Sequence, residues 1–266
     1  MSERLVDFLK GCLADSAGAP AAFAVLSDEE IAAIDQAVDP DFSVRPWIDA
    51  QEDLDPMAFA RFGERSLVLR GMLVPRVEET TSNLAFTVSD ELQMLADARR
   101  DGIGFLRFTT RHDGVHTGRI VVLQAEVGGF EEDVAFEGFH YFTACSYADV
   151  ARRLAEWSLP IPDAGDVPGE LRVGAGGWGA WVVNELGVDA RHVEADLYLP
   201  GPTGDMRSVH WMVAHNDADA VLARPDASGG DRLRVTATTP GMLARVLAGE
   251  ISGAVATSSG RDPFAS

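Results

Sequence analysis

Residues 142–157 and 235–250 lie 93 positions apart and share six identities in sixteen: Phe142-Thr-Ala-Cys-Ser-Tyr-Ala-Asp-Val-Ala-Arg-Arg-Leu-Ala-Glu-Trp157 against Val235-Thr-Ala-Thr-Thr-Pro-Gly-Met-Leu-Ala-Arg-Val-Leu-Ala-Gly-Glu250. Each opens on a β-type run, passes through a small cluster able to cap a helix, and continues with apolar residues on a helical spacing. Val150, Leu154 and Trp157 fall at i, i+4 and i+7, and Leu243, Val246 and Leu247 at i, i+3 and i+4. A strand-to-helix unit used twice restricts the chain to pseudo-symmetric architectures. The expected fold is α+β: a central, mostly antiparallel sheet with flanking helices, in two pseudo-symmetric halves.

The order of elements supports two halves. Ser27-Asp-Glu-Glu30 is a capping box opening a helix with Ile31, Ile34 and Val38 on one face, and residues 41–63, rich in Asp, Pro and aromatics, read as an irregular packed segment. Leu67–Val74 reads as a strand or helix end, and Ser89–Arg100 as a capped helix stopped by Gly102. From Gly104 the period changes to two, with strands at 105–111 and 119–126 around an Asp113-Gly114 turn, then at Val134–Phe136 and His140–Ala144. Three prolines and two glycines between Leu159 and Gly169 mark a boundary near 160. Beyond it, a helix over Trp178–Leu186, strands at 192–199, 209–214, 220–223 and 233–237, and the second copy of the repeated helix follow the same order. The divisions are 1–65 (helical and irregular, packed on the core), 66–160 (first half), 161–253 (second half) and 254–266 (flexible tail).

A chain of 266 residues with 46% apolar content can bury a substantial core. The formal net charge of −20 disfavours binding to nucleic acid or an anionic membrane. Cys12 and Cys145 form no CxxC and no zinc spacing, which suits a reducing compartment. The charged, amphipathic start differs from a signal sequence, and no run of 18 apolar residues is present, so a cytoplasmic location without membrane insertion is expected.

Gly174-Ala-Gly-Gly-Trp-Gly179 has the form G-x-G-x-x-G and leads into a helix, with Asp196 near the distance at which an acidic residue would meet a ribose. An NAD(P)-binding oxidoreductase is one function it could serve, although the strand before it is short and about 87 residues remain after it. No cofactor is expected. The six histidines, at 112, 116, 140, 192, 210 and 215, match no metal-ligand set, and no nucleophile elbow, P-loop or kinase signature occurs, so neither a metal nor a catalytic residue is assigned. The acidic runs Asp28–Glu30 and Glu131–Asp133 read as solvated faces or helix caps. Trp178, Trp181, Val182 and Leu186 form an apolar helical stripe, suited to core burial or, as a candidate site, to a protein partner.

With these elements placed, the chain resembles the EspG family of actinobacterial type VII (ESX) secretion chaperones. The resemblance rests on Ser66-Leu-Val-Leu-Arg-Gly-Met-Leu-Val74 before the helix Glu91–Arg100, the hairpin Phe105–Glu126, the unit ending Arg152-Arg-Leu-Ala-Glu-Trp-Ser-Leu-Pro160, and the second unit near the C-terminus, about residues 60–250 in all. It implies a central antiparallel sheet with quasi-two-fold symmetry and a cytosolic, non-enzymatic chaperone or adaptor for an aggregation-prone helical secretion substrate. The stretch 41–63 and the Gly-rich segment 174–179 do not match the family pattern. Besides the oxidoreductase, an acidic immunity-type protein neutralising a basic toxin is a further alternative.

Overall fold

The two halves meet strand to strand. In the computed structural model, which describes residues 2–15, 22–35, 44–51, 55–77, 84–112, 115–161, 171–200, 205–226 and 232–259, strand β4 (Gly104–His112) pairs with β9 (Arg191–Pro200) at the centre of a ten-stranded antiparallel sheet. On one side of this seam lie β5 (Val115–Gln124), β6 (Gly128–Val134), β7 (Phe139–Cys145) and β1 (Ala24–Ser27); on the other lie β10 (Met206–His215), β11 (Ala220–Pro225), β12 (Arg232–Ala237) and β8 (Leu171–Gly174). The α+β architecture with a large antiparallel sheet agrees with the sequence reading.

The register makes the internal symmetry explicit. The row Phe105, Val122, Phe130, Ala144 across the first half has the counterpart His192, Ala214, Val221, Ala237 in the second. The separation falls from 93 at the outer strands (237 against 144) to 87 at the seam (192 against 105) because the hairpin connections differ in length. At the edges, Ala24 opposite Phe142 corresponds to Leu171 opposite Val235. Along the seam, Leu106 opposite Leu197 maps onto Val193 opposite Thr110, and Phe108 opposite Ala195 maps onto itself. The pseudo-dyad therefore passes through the Phe108–Ala195 pair.

Each repeated helix covers the same face of the sheet. Helix α6 (Tyr147–Ser158) is capped by Ser146, whose hydroxyl accepts from Asp149 N at 3.2 Å, and α8 (Pro240–Ser259) by Thr239, whose hydroxyl accepts from Met242 N at 3.2 Å. The two pack against each other across the dyad. Val150 and Leu154 of α6 and their counterparts Leu243 and Leu247 of α8 are fully buried on Phe108, Ala195 and Trp211. On the opposite face, α5 (Asp90–Arg100) covers the first half through Leu92 and Leu95, and α7 (Trp178–Leu186) the second. Helix α1 (Glu3–Asp15) adds Leu5 and Leu9 to the first-half layer.

The symmetry breaks between the edge strand and the covering helix. In the second half only the 3-10 turn Ala175–Gly177 separates β8 from α7. In the first half, α2 (Asp28–Asp35), α3 (Pro46–Asp49), α4 (Pro56–Leu69) and a separate two-stranded sheet of β2 (Leu73–Val77) and β3 (Leu84–Val88) intervene between β1 and α5.

Three sequence expectations are corrected. The stretch 41–63 contains two helices where described, and α4 runs through residue 65 without a break. The third strand is Gly128–Val134, not Val134–Phe136, because the acidic run 131–133 lies inside it. The expected tail from 254 is helical through Ser259, and Ala254 and Val255 are 1% exposed in the core between α8 and the sheet. Val38, the Asp113-Gly114 turn and most of the Pro/Gly-rich boundary segment lie outside the described residues.

Candidate functional site

Of the four sequence-selected residues, three face the sheet. Trp178, Val182 and Leu186 recur at i, i+4 and i+8, which places them on one side of α7, buried against Ala214, Val221, Leu233 and Val235. They form the second-half core layer and cannot act as a surface patch in the folded chain. Trp181 is half-buried and stacks on Trp178, with ring centroids 5.6 Å apart and an 18° interplanar angle. Asn216 fixes the far end of the helix by donating to Leu186 O at 2.9 Å.

The glycine-rich segment does not occupy a dinucleotide-binding context. β8 is an edge strand paired antiparallel with β12, whereas the phosphate-binding turn of a doubly wound fold follows a strand within a parallel sheet. Asp196 lies four strands away in β9, where its carboxylate accepts from Arg107 Nη2 at 2.7 Å and contacts His210 Nδ1 at 2.8 Å. Burial pushes its pKa up, but the His210 and Arg107 contacts outweigh it and hold the pKa below the usual carboxylate range.

The sequence reads the acidic runs as solvated faces or helix caps; Asp28–Glu30 does form the capped first turn of α2, but Asp28, Glu30, Glu131 and Glu132 are buried, while Glu29 and Asp133 are partly exposed. Glu131 and Glu132 are consecutive in β6, so the pleat sends them to opposite faces, with relative exposures of 0% and 2%. Glu131 receives Arg153 of α6 in a bidentate pair at 2.5 and 3.0 Å, with Arg119 at 3.4 Å. Glu132 accepts from Arg99 Nε at 2.9 Å and contacts His140 Nδ1 at 2.7 Å; Arg99 also reaches Asp35 at 2.5 Å. His140 Nε2 lies 2.8 Å from Asp28, whose second oxygen accepts from Trp47 N and Ile48 N at 2.8 and 3.0 Å. This chain of charge ties α2, α3 and α5 to β6 and β7. Burial would lower the His140 pKa, but hydrogen bonds to Asp28 and Glu132 outweigh it and raise it. Burial would raise that of Glu132, but Arg99 and His140 carry it down to about 2. With every member partnered, the network reads as a structural tie.

Unpartnered apolar surface gathers instead on the asymmetric insertion. Asp55 caps α4 by accepting from Met57 N at 3.0 Å, and Pro56 occupies the first helical position. The helix ends in a Schellman turn: Gly71 at φ +72° donates to Val68 O and Met72 to Leu67 O. This turn redirects the chain into β2, so the end of α4 stands beside the small sheet. Between them lies a cleft of about 440 Å³ lined by Val68, Leu69, Pro75 and Phe86, with Glu64 and Arg65 at its margin. Leu69 is 89% exposed, and Val74 and Val88 are also exposed. Arg70 turns back, pairing with Glu30 at 2.6 Å and donating to Val25 O at 3.1 Å, which shields part of the β1 edge.

The aromatic-rich composition of 41–63 was the available signal for this insertion; its folding into α4 and a cleft was not read. Residues 78–83, joining β2 to β3, lie outside the described residues. Among the described residues, no helix is long and apolar enough to cross a membrane, and no group of three or more His, Cys, Asp and Glu side chains is placed to hold a metal ion. Neither a scan of protein-family models nor a search of curated proteins finds a match to this chain.

Proposed function

We propose that the chain is a cytosolic chaperone or adaptor that holds an aggregation-prone, helical type VII secretion substrate, as its resemblance to the EspG family implies, and that the cleft between α4 and the β2–β3 sheet receives the substrate's apolar surface. The observation carrying this reading is the unequal use of the internal dyad. Among the described residues both halves supply five sheet strands and a pair of covering helices, and besides α1 the large departure is an insertion bearing an exposed apolar cleft. A framework that repeats, with one non-repeating element carrying unburied Leu69 and Val74, suits a scaffold presenting a binding surface. A net charge of −20 keeps such a complex soluble but supplies no attraction to an apolar helix. Affinity is therefore assigned to the cleft.

Co-expression with a helical type VII secretion substrate, followed by affinity capture, tests the reading. The wild-type chain is expected to keep the substrate in the soluble fraction and to co-purify with it. Leu69→Asp places a charge in the cleft without disturbing a packed side chain, and is expected to weaken capture by more than about tenfold, the scale of an interface hot spot.

A further inference from the structure

A second cleft, of about 390 Å³, opens on another part of the insertion, lined by Trp47, Phe62, Phe139, Glu29 and Glu137 with Ser27, Ser66 and Gly138. Its rings are held by separate devices. Trp47 is the second residue of α3, whose first N–H groups are fixed by the Asp28 carboxylate, and stands edge-on to Phe59 at 5.4 Å. Phe62 sits on the outer side of α4, beside Gly63, which lets α4 approach the α2 backbone so closely that a Cβ there would lie 1.9 Å from Glu29 O. Phe139 follows Gly138, whose φ of +79° forms a tight turn and whose missing side chain leaves room for Trp47 and Asp28. The three rings remain 39%, 58% and 46% exposed, a large apolar cost in a soluble chain.

The charges point to an occupant. Asp28 and Glu30, beneath the cleft, are compensated by His140 with two backbone donors and by Arg70 with the Ser66 hydroxyl. Glu29 and Glu137, on its wall, have neither an ion pair nor a side-chain hydrogen bond among the described residues. Aromatic faces beside carboxylates attract an organic cation twice over, through the ring quadrupole and through charge. The chain makes this pairing internally as well, with Arg119 over Trp157 and Arg224 over Trp211, each 5.9 Å from the ring centroid. The repeated unit does not require the aromatic character: the dyad counterpart of Phe139 is Arg232, and that of the neighbouring Tyr141 is Arg234.

We propose that the cleft of Trp47, Phe62, Phe139, Glu29 and Glu137 binds a cationic side chain, the guanidinium or ammonium group of a basic segment on a partner polypeptide. This site is separate from the α4–β2–β3 cleft and does not depend on the chaperone reading.

The test uses the full chain and a blocked hexapeptide of alternating arginine and glycine, followed by NMR titration at physiological salt. Saturable binding is expected, weakened at least fivefold by Phe62→Leu, which keeps apolar bulk but removes the ring, and by Glu137→Gln. Replacing each arginine of the peptide by citrulline, neutral but nearly isosteric, is expected to weaken it at least tenfold. Glu185→Gln, an exposed carboxylate on α7, should leave binding unchanged. Thermal melting of each variant confirms folding, which Phe62 and Glu137, both exposed, should not disturb. Absence of saturable binding overturns the proposal. So does equal affinity for the citrulline peptide, or a loss in Glu185→Gln matching that in Glu137→Gln, which would mean diffuse attraction to an acidic surface.

Discussion

Phe108 stands opposite Ala195 at the centre of the β4–β9 seam, and the internal dyad maps this pair onto itself. A large ring facing a methyl group at one point lets α6 and α8 converge on the sheet from both halves, and both residues are 0% exposed. Removing the ring should therefore loosen both halves together. Phe108→Ala is expected to cost about 3–5 kcal/mol, and Ala195→Leu about 1–3 kcal/mol through overpacking. Chemical denaturation followed by fluorescence and by circular dichroism should give coincident single transitions for both variants; separate transitions would mean that the halves fold independently.

Arg152 and Arg153 are neighbours on α6 with different work. Arg152 pairs with Asp149 and Glu156 on the exposed side of the helix, while Arg153 holds the fully buried Glu131. Arg153→Met removes the bidentate partner of a buried carboxylate, leaving it Arg119 at 3.4 Å, and is expected to destabilise by about 3–5 kcal/mol. Arg152→Met removes only exposed pairs, and a change within about 1 kcal/mol is expected. Urea denaturation of the two variants makes the comparison.

The chain of Asp28, His140, Glu132, Arg99 and Asp35 predicts how stability varies with pH. Glu132 is lowered from 4.5 to about 2, so its contribution is complete above pH 4.5 and is lost as pH falls toward 2. His140 is raised above 6.5, so its contribution is complete below pH 6.5 and is lost as pH rises through the folded value. Melting temperature should thus fall on both sides of a mildly acidic maximum. Glu132→Gln is expected to flatten the acid limb and His140→Asn the alkaline limb, each at a cost in stability at the maximum. A wild-type profile flat from pH 4.5 to 2 would refute the assignment.

On α7, the two tryptophans separate core from surface. Trp178→Ala empties a position packed on Val221 and Val235 and is expected to destabilise by about 3–5 kcal/mol. Trp181 is half-buried, and Trp181→Ala should cost less than half as much. Thermal melts decide this, and equal losses would mean that the stacked pair acts as one unit.

Much of this fold was legible because it rests on local chemistry. The capping box of Ser27 and Glu30 forms reciprocally at 3.1 and 3.4 Å, the Ser89 cap forms at 3.2 Å, and the offset of 93 is preserved where β7 and α6 correspond to β12 and α8. Period-two alternation located the central strands. The buried acids were not legible: Glu131 and Glu132 resemble any charged run, and their burial is made tolerable by partners far away in sequence, above all Arg153 and Arg99 from two different helices. Nor was the small β2–β3 sheet, whose pairing of Leu73 with Val88 depends on the turn after α4 and on a helix that pattern alone left irregular. The Trp178 stripe had the spacing of a buried face, and the choice between core and partner depended on β11 and β12, more than 30 residues away.

The proposed holding of a secretion substrate in the α4–β2–β3 cleft is tested most directly by amide hydrogen exchange on the co-purified complex. Protection gained on binding should be greatest at residues 65–77 and 84–88, with little change in α7 or in the seam strands, and it should vanish for Leu69→Asp. Protection confined to α7, or spread evenly over the sheet with residues 65–77 unchanged, would contradict it.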